Sequence, residues 1–285
     1  MMGSQLSELL AELNDCRQHH GAACQADHGG QLDTLSPFAQ RLPLVHGLRE
    51  WTAGSAVREP VQALLDVLGS GCLKSRRQLS QSIPSQRSLL KPEQLLGLPD
   101  SVYTSAGVLY PNCELALVFS PLAEQTAEVT ATPWDSGAYC KQYDLEHVSQ
   151  TDLVKYREIF NRYSLPTPTY RQYLQHYVAS CFVSADQYLE ARDYRYADPL
   201  NLLCHRRLTL SVFEVRFRQR LEISPSTLLA VFVRRFAGDN LAVPLSRQLG
   251  ALREQGVSIF EYRPAELLQS CIRRWVIEYL KVCQP

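Results

Sequence analysis

What most limits the fold of this chain is the order of its strand-like runs, which come in clusters instead of alternating one by one with helices. Short apolar or alternating runs stand at residues 42–47, 101–105, 114–119, 128–132, 208–217, 228–233 and 257–262. Helical periodicity occupies 4–18, 55–69, 245–255 and 264–282, and a long helical stretch at 150–192 separates the third cluster of strands from the rest. Parallel α/β sheets need a crossover helix between successive strands, and this order does not supply one. The pattern therefore predicts an α+β protein: a mixed sheet interrupted by a helical insert and closed by a C-terminal helix.

Composition adds limits. The 285 residues are 45% hydrophobic and 20% charged, enough to bury a sizeable core. Lysine and arginine total 29, as do aspartate and glutamate, but the balance is uneven along the chain. Residues 1–40 carry one Arg against five acids, while 201–285 carry thirteen bases against seven. A basic final third can face a polyanion, although a solvated surface uses the same residues. Nine cysteines, widely spaced and without a C-x-x-C pair, predict reduced thiols in a cytoplasmic protein and no zinc site. No cleavable signal opens the sequence, and no apolar run reaches the roughly 18 residues of a membrane span. The phosphate-cradling G-x-G-x-x-G and P-loop patterns and the G-x-S-x-G elbow are missing.

Three residues in sequence order can carry one chemistry. His46 closes the first apolar run, beside Gly47. Tyr103 sits in the next run, flanked by Val102 and Thr104. Glu214 lies in Phe213-Glu214-Val215-Arg216-Phe217, where alternation puts the apolar residues on one face and Glu214 with Arg216 on the other. Glutamate is depleted in strand interiors, so Glu214 calls for a reason. A buried carboxylate suits a reaction that passes through an oxocarbenium-like state, an aromatic face suits a flat heterocycle, and a histidine at a strand end suits a ribose hydroxyl.

The segment Val45-His46-Gly47, followed by a helix and Leu68-Gly69-Ser70-Gly71-Cys72-Leu73-Lys74-Ser75-Arg76, resembles the opening of the ADP-ribosyltransferase superfamily. Ser101-Val102-Tyr103-Thr104-Ser105-Ala106-Gly107 resembles its second-strand motif, and Phe213–Phe217 its late strand with the catalytic glutamate. The order His, Tyr, Glu is that of the DarT-like and PARP-like branch. The resemblance implies a split β-sheet core within a catalytic domain at 41–285, with a helical insert at 150–200, preceded by an N-terminal helix and linker at 1–40. It implies NAD as substrate and no metal. It implies Glu214 as catalytic residue and His46, Gly47, Tyr103, Ser105, Arg76 and Arg216 at the NAD. The activity implied is mono-ADP-ribosyl transfer to a nucleic acid or protein, as in toxins and defence proteins, and a toxic transferase would be expected to have an antagonist protein. The sequence departs from the branch where Gly47-Leu48 stands in place of a hydroxyl-bearing turn. The Glu-x-Glu pair of arginine-modifying relatives is here Glu214-x-Arg216, which argues against arginine as acceptor.

Rival readings stay open at this level. Tyr110 and Phe119 compete with Tyr103 as stacking residue, and Glu222 and Glu261 with Glu214 as carboxylate. Trp134-Asp135 reads as a plain turn with a half-buried tryptophan. Eight of the fourteen tyrosines fall between 156 and 196, interleaved with arginines including Arg192 and Arg195; their helical spacing fits a packed face better than a platform for bases. Arg206, Arg207, Arg216, Arg218 and Arg220 form a denser basic cluster, placed to hold a pyrophosphate. An inactive relative serving as a protein- or nucleic-acid-binding module accounts for the same features. Cysteine catalysis through the adjacent Cys204 and His205 is weaker, since no orienting acid is evident.

Overall fold

A computed structural model of the chain describes residues 2–20, 37–53, 56–82, 91–110, 112–182, 184–190, 212–234, 242–263 and 266–282. It opens with helix α1 (Met2–His20), strand β1 (Leu44–Leu48) and a small hairpin of β2 (Trp51–Ala53) and β3 (Ala56–Arg58). Helix α2 (Pro60–Ser70), β4 (Cys72–Lys74), α3 (Arg76–Ser82) and α4 (Lys91–Leu96) follow. Strands β5 (Ser101–Ala106), β6 (Leu115–Phe119) and β7 (Val129–Thr132) come next, with a 3-10 turn at Pro121–Gln125 between the last two. Helices α5 (Ser136–Gln142) and α6 (Gln150–Arg162), the two-residue β8 (Leu165–Pro166), α7 (Thr169–Cys181) and α8 (Ala185–Glu190) follow, the last four within the stretch expected as a helical insert. The remainder is β9 (Glu214–Arg218), β10 (Arg220–Glu222), β11 (Leu228–Arg234), α9 (Ala242–Glu254), β12 (Ser258–Tyr262) and α10 (Leu268–Val282).

The expected α+β class is what forms. Eight strands make one sheet in the order β12-β11-β6-β1-β5-β9-β7-β8. All neighbours are antiparallel except β11 and β12, which are joined through α9 as a parallel pair must be by a crossover. One seam is weak. β1 pairs with β6 from Leu44 to Leu48, but with β5 only at Leu44 and Val45, opposite Ala106 and Ser105. Past Val45 the strands part, and His46 lies where they do.

Helices pack on the sheet. Tyr170, Tyr173 and Tyr177 of α7 pack on Phe213, with ring centroids 6.0, 6.4 and 5.8 Å away. These three tyrosines are buried, as helical spacing suggested, so a single strand of nucleic acid has no access to them. α1 is tied to the insert: Gln5 donates to the Arg162 carbonyl at 2.9 Å, the Tyr163 hydroxyl to Glu12 at 2.6 Å, and Arg162 pairs with Glu12. At the other end Trp275 of α10 meets Phe232 and Phe260 edge-on. No helix among the described residues is long and apolar enough to cross a membrane.

Several expectations need correction. The helix expected at 55–69 starts at Pro60, because proline fits the first helical position and the preceding residues pair as β3. It ends where Gly71 takes φ +67°, a left-handed C-cap. The polar stretch before β5 contains α4, whose Glu93 is 1% exposed. Trp134 is fully buried, with Tyr163 edge-on at 4.6 Å, and the turn after it is the start of α5, capped by the Asp135 side chain on the Ala138 N–H. Residues 191–211, with Arg192, Arg195, Cys204, His205, Arg206 and Arg207, and 21–36 of the expected linker lie outside the described residues.

Candidate active site

The strands carrying His46, Tyr103 and Glu214 are three neighbours, β1, β5 and β9. Antiparallel register sets Tyr103 opposite Arg216 and Ser105 opposite Glu214, so these four side chains share one face. On the other side of β9, Thr132 and Thr130 of β7 stand opposite Glu214 and Arg216. Ser136, at the start of α5, closes over Glu214.

Glu214 is 1% exposed. Its Oε2 accepts from the Ser136 N–H (3.2 Å), the Ser136 hydroxyl (3.1 Å) and the Tyr110 hydroxyl (3.2 Å). Oε1 has no hydrogen-bond partner among the described residues and lies 3.6 Å from Arg216 Nη1. Burial pushes the carboxyl up to about 8, with help from nearby Asp135; Arg216 and the two Ser136 donors pull the other way. Asp135 is itself raised by burial, opposed by its Ala138 contact and by the nearby Tyr110 hydroxyl. The Tyr110 phenol thus stands between two carboxyls, and burial and their charges raise its own pKa.

His46 is partly exposed and places Nδ1 2.7 Å from the Tyr103 carbonyl. A carbonyl only accepts, so Nδ1 carries the proton. Burial lowers the pKa of the ring, which is therefore neutral at pH 7 and offers Nε2 as an acceptor. The imidazole fills the seam where β1 leaves β5. Tyr103 is fixed at both ends, by this bond to its carbonyl and by its hydroxyl, which donates to Glu93 Oε1 at 3.1 Å. Glu93 also accepts from the Ser101 N–H at 3.3 Å. Its helix is anchored by Arg157, which donates to the Leu95 and Gln94 carbonyls at 2.5 and 3.2 Å.

The other expected site residues sit differently. The Ser105 hydroxyl is fully buried and donates to the Val108 carbonyl, so it is a strand-end lock and not a surface for a ligand. Gly47 has a packing reason: a Cβ there would stand 2.3 Å from Cys113 Sγ and 2.9 Å from Leu109 Cδ1. Gly47→Ala is expected to cost about 1–3 kcal/mol, partly restored by Cys113→Ala, as thermal melts of the single and double variants would read. Arg216, 2% exposed, is under the Phe160 ring at 5.1 Å and bonded to Ser164 at 2.8 Å. It faces Glu214 and is too enclosed to grip a pyrophosphate from outside. Arg76 is partly exposed, within the field of Glu93 and of Arg49 at the end of β1. Arg49, exposed and charge-coupled also to Asp135, was not anticipated; a lone arginine after a strand carries no signal by itself.

The rivals separate cleanly. Phe119 is fully buried in β6 and cannot stack a ligand. Glu222 is exposed and paired with Arg220 at 3.0 Å, and Glu261 is exposed on the edge strand β12. Of the carboxylates weighed, only Glu214 is held by fixed donors in a dry setting. Tyr110 is in direct contact with it, whereas Tyr103 is not bonded to it. A scan against known protein families finds no match for the chain, and a search of curated proteins finds none either.

Proposed function

We propose that this chain is a NAD-dependent mono-ADP-ribosyltransferase acting on a nucleic acid or protein. The observation that carries this reading is the placing of His46, Tyr103 and Glu214 on three adjacent strands, with His46 Nδ1 on the Tyr103 carbonyl and a buried carboxyl whose Oε1 has no hydrogen-bond partner among the described residues. In this reading NAD lies beside the seam where β1 leaves β5, against His46. His46 Nε2 accepts from the hydroxyl of the adenosine ribose, and Arg49 and Arg76 face the pyrophosphate. The ring of Tyr103 or Tyr110 packs against the nicotinamide. Glu214 is 1% exposed, so in this reading it is uncovered as NAD enters; its Oε1 then accepts from a hydroxyl of the nicotinamide ribose and, once ionised, stabilises the positive charge that grows there as the bond to nicotinamide breaks. The residues present fit NAD in the character of their donors: one dry carboxylate, one neutral imidazole and two accessible cations.

The test is release of nicotinamide from NAD by purified protein, with single-stranded DNA, RNA or a cell lysate added in turn. Turnover stimulated by one additive supports the reading and points to the acceptor class. No release in any mixture, with no heat of NAD binding by calorimetry, sinks it in favour of a binding module. His46→Ala is expected to weaken NAD binding about tenfold, the worth of one hydrogen bond to a ligand, while leaving the maximal rate within a few-fold.

A further inference from the structure

Arg216 is an odd residue to find 2% exposed in the middle of a sheet. A buried arginine is costly unless its charge is met, and its planar head has five donors to satisfy. Here Nη2 donates to Ser164 at 2.8 Å, Nη1 lies 3.6 Å from Glu214 Oε1, and neither Nη1 nor Nε has a hydrogen-bond partner among the described residues. Phe160 covers the flat face at 5.1 Å. The side chain is thus pinned from two sides by α6 and the turn that follows it, and among the described residues Glu214 is the charged group that it faces. Its separation from Oε1 is too long for a hydrogen bond yet short enough for strong attraction in a dry site.

We propose that Arg216 is a positioning residue for this reaction, a fixed cation beside Glu214 Oε1 that favours the charged form of the carboxyl over the neutral one. The inference rests on the transferase reading. Other groups face the carboxyl as well. From α5 come Asp135 at the cap, Ser136 and Cys140; from the loop after β5 comes Tyr110, and from β5 itself Tyr103. Asp135 opposes ionisation of Glu214, the two Ser136 donors favour it, and among these groups Arg216 is the positive charge. An arginine two residues after a strand carboxylate reaches the same face, which is how the spacing Glu214-x-Arg216 becomes a device.

The experiment is the pH profile of nicotinamide release, from pH 5.5 to 10, for the wild type, Arg216→Lys, Arg216→Gln and Ser164→Ala. Alongside it, carbon-13 NMR follows the Glu214 carboxyl, assigned by its disappearance in Glu214→Gln. In Arg216→Gln the acid limb and the carboxyl midpoint should both move up by about one to three pH units, the usual effect of losing an opposite charge at this range. Arg216→Lys should restore most of the wild-type position, and Ser164→Ala should move the limb upward by less than the glutamine variant. If Arg216→Gln does not fold, the comparison of Ser164→Ala with the wild type decides. A residue that only packs would lower the melting temperature and leave limb and midpoint in place; that outcome, in every variant that folds, overturns the proposal. A wild type that releases no nicotinamide at any pH overturns the transferase reading instead, and with it the role in that reaction. The carboxyl midpoint would then still report whether Arg216 holds the charge on Glu214.

Discussion

Under the transferase reading, Glu214→Gln is expected to cut nicotinamide release by about 10²–10³-fold or more, the loss that follows removal of one fixed electrostatic contact to the reacting centre. Glutamine keeps the volume and can still accept from Ser136 and Tyr110, so the fold should survive; what goes is the negative charge. The wild type should show rising kcat/KM as pH climbs through about 8, since the free enzyme holds its proton until then. A bound nicotinamide is cationic and favours ionisation, so the limb in kcat should lie lower. Stability should move the other way. The unfolded chain gives up the Glu214 proton near pH 4, whereas the folded chain keeps it to about 8. Between those values each rise in pH favours the unfolded state, and above about 8 the loss is complete. The difference in melting temperature between Glu214→Gln and the wild type should therefore widen from pH 5 to pH 8 and then level off. Taking the difference cancels the titration of other groups. A difference that stays flat with pH would mean that Glu214 is already ionised in the folded protein at pH 5.

Glu124→Ala is expected to be the most damaging change away from the site. Glu124, Tyr170 and Arg171 form a buried knot between the 3-10 turn and α7. The Arg171 Nε donates to both carboxylate oxygens, at 3.0 and 3.2 Å, while Nη1 reaches the carbonyls of Leu42 at 3.1 Å and Ala39 at 3.5 Å. Removing the carboxylate leaves a guanidinium buried without its counter-charge, at a cost of about 3–5 kcal/mol. For a chain of this length that is a fall in melting temperature of roughly 6–20 °C. The matched double variant Glu124→Ala, Arg171→Met should recover part of the loss, because it removes the orphaned charge as well as its partner. If the single variant melts within a degree of the wild type, the knot is not the bolt that holds the insert to the start of β1.

The sheet was legible because it rests on alternation. Glu214 and Arg216 fall on one face and Phe213, Val215 and Phe217 away from it, as a two-residue period demands. The tyrosine face of α7 was legible from helical spacing. What stayed hidden was what comes down on top of the strands. No feature of Arg216 in the sequence tells that Phe160 covers it, so it reads as a surface cation for a phosphate. Glu93 sits in a polar stretch, and its partners, the Ser101 N–H and the Tyr103 hydroxyl, identify it only once α4 is folded back. The start of α5 was hidden because Asp135, Ser136 and Gly137 are turn formers as well as cap residues, and a seven-residue helix has too few apolar positions to show a period. Gly47 was noticed for its place beside His46, whereas its cause is the sulfur of Cys113, just before the neighbouring strand β6.

The position of β9 has a consequence for how the molecule comes together. It is inserted between β5 and β7, although both precede it in the chain, β5 by more than a hundred residues as the pair Ser105 and Glu214 shows. Closing so long a loop is entropically expensive, and topologies of this kind fold slowly. Until β9 is placed, β5 and β7 present open edges to each other with no strand between them, ready templates for wrong pairing. The strand that fills this gap is also the one that carries the buried Glu214. Closing the sheet there and placing this carboxyl are thus a single event, and a misthreaded chain has His46 and the tyrosines in hand but not Glu214 to set beside them.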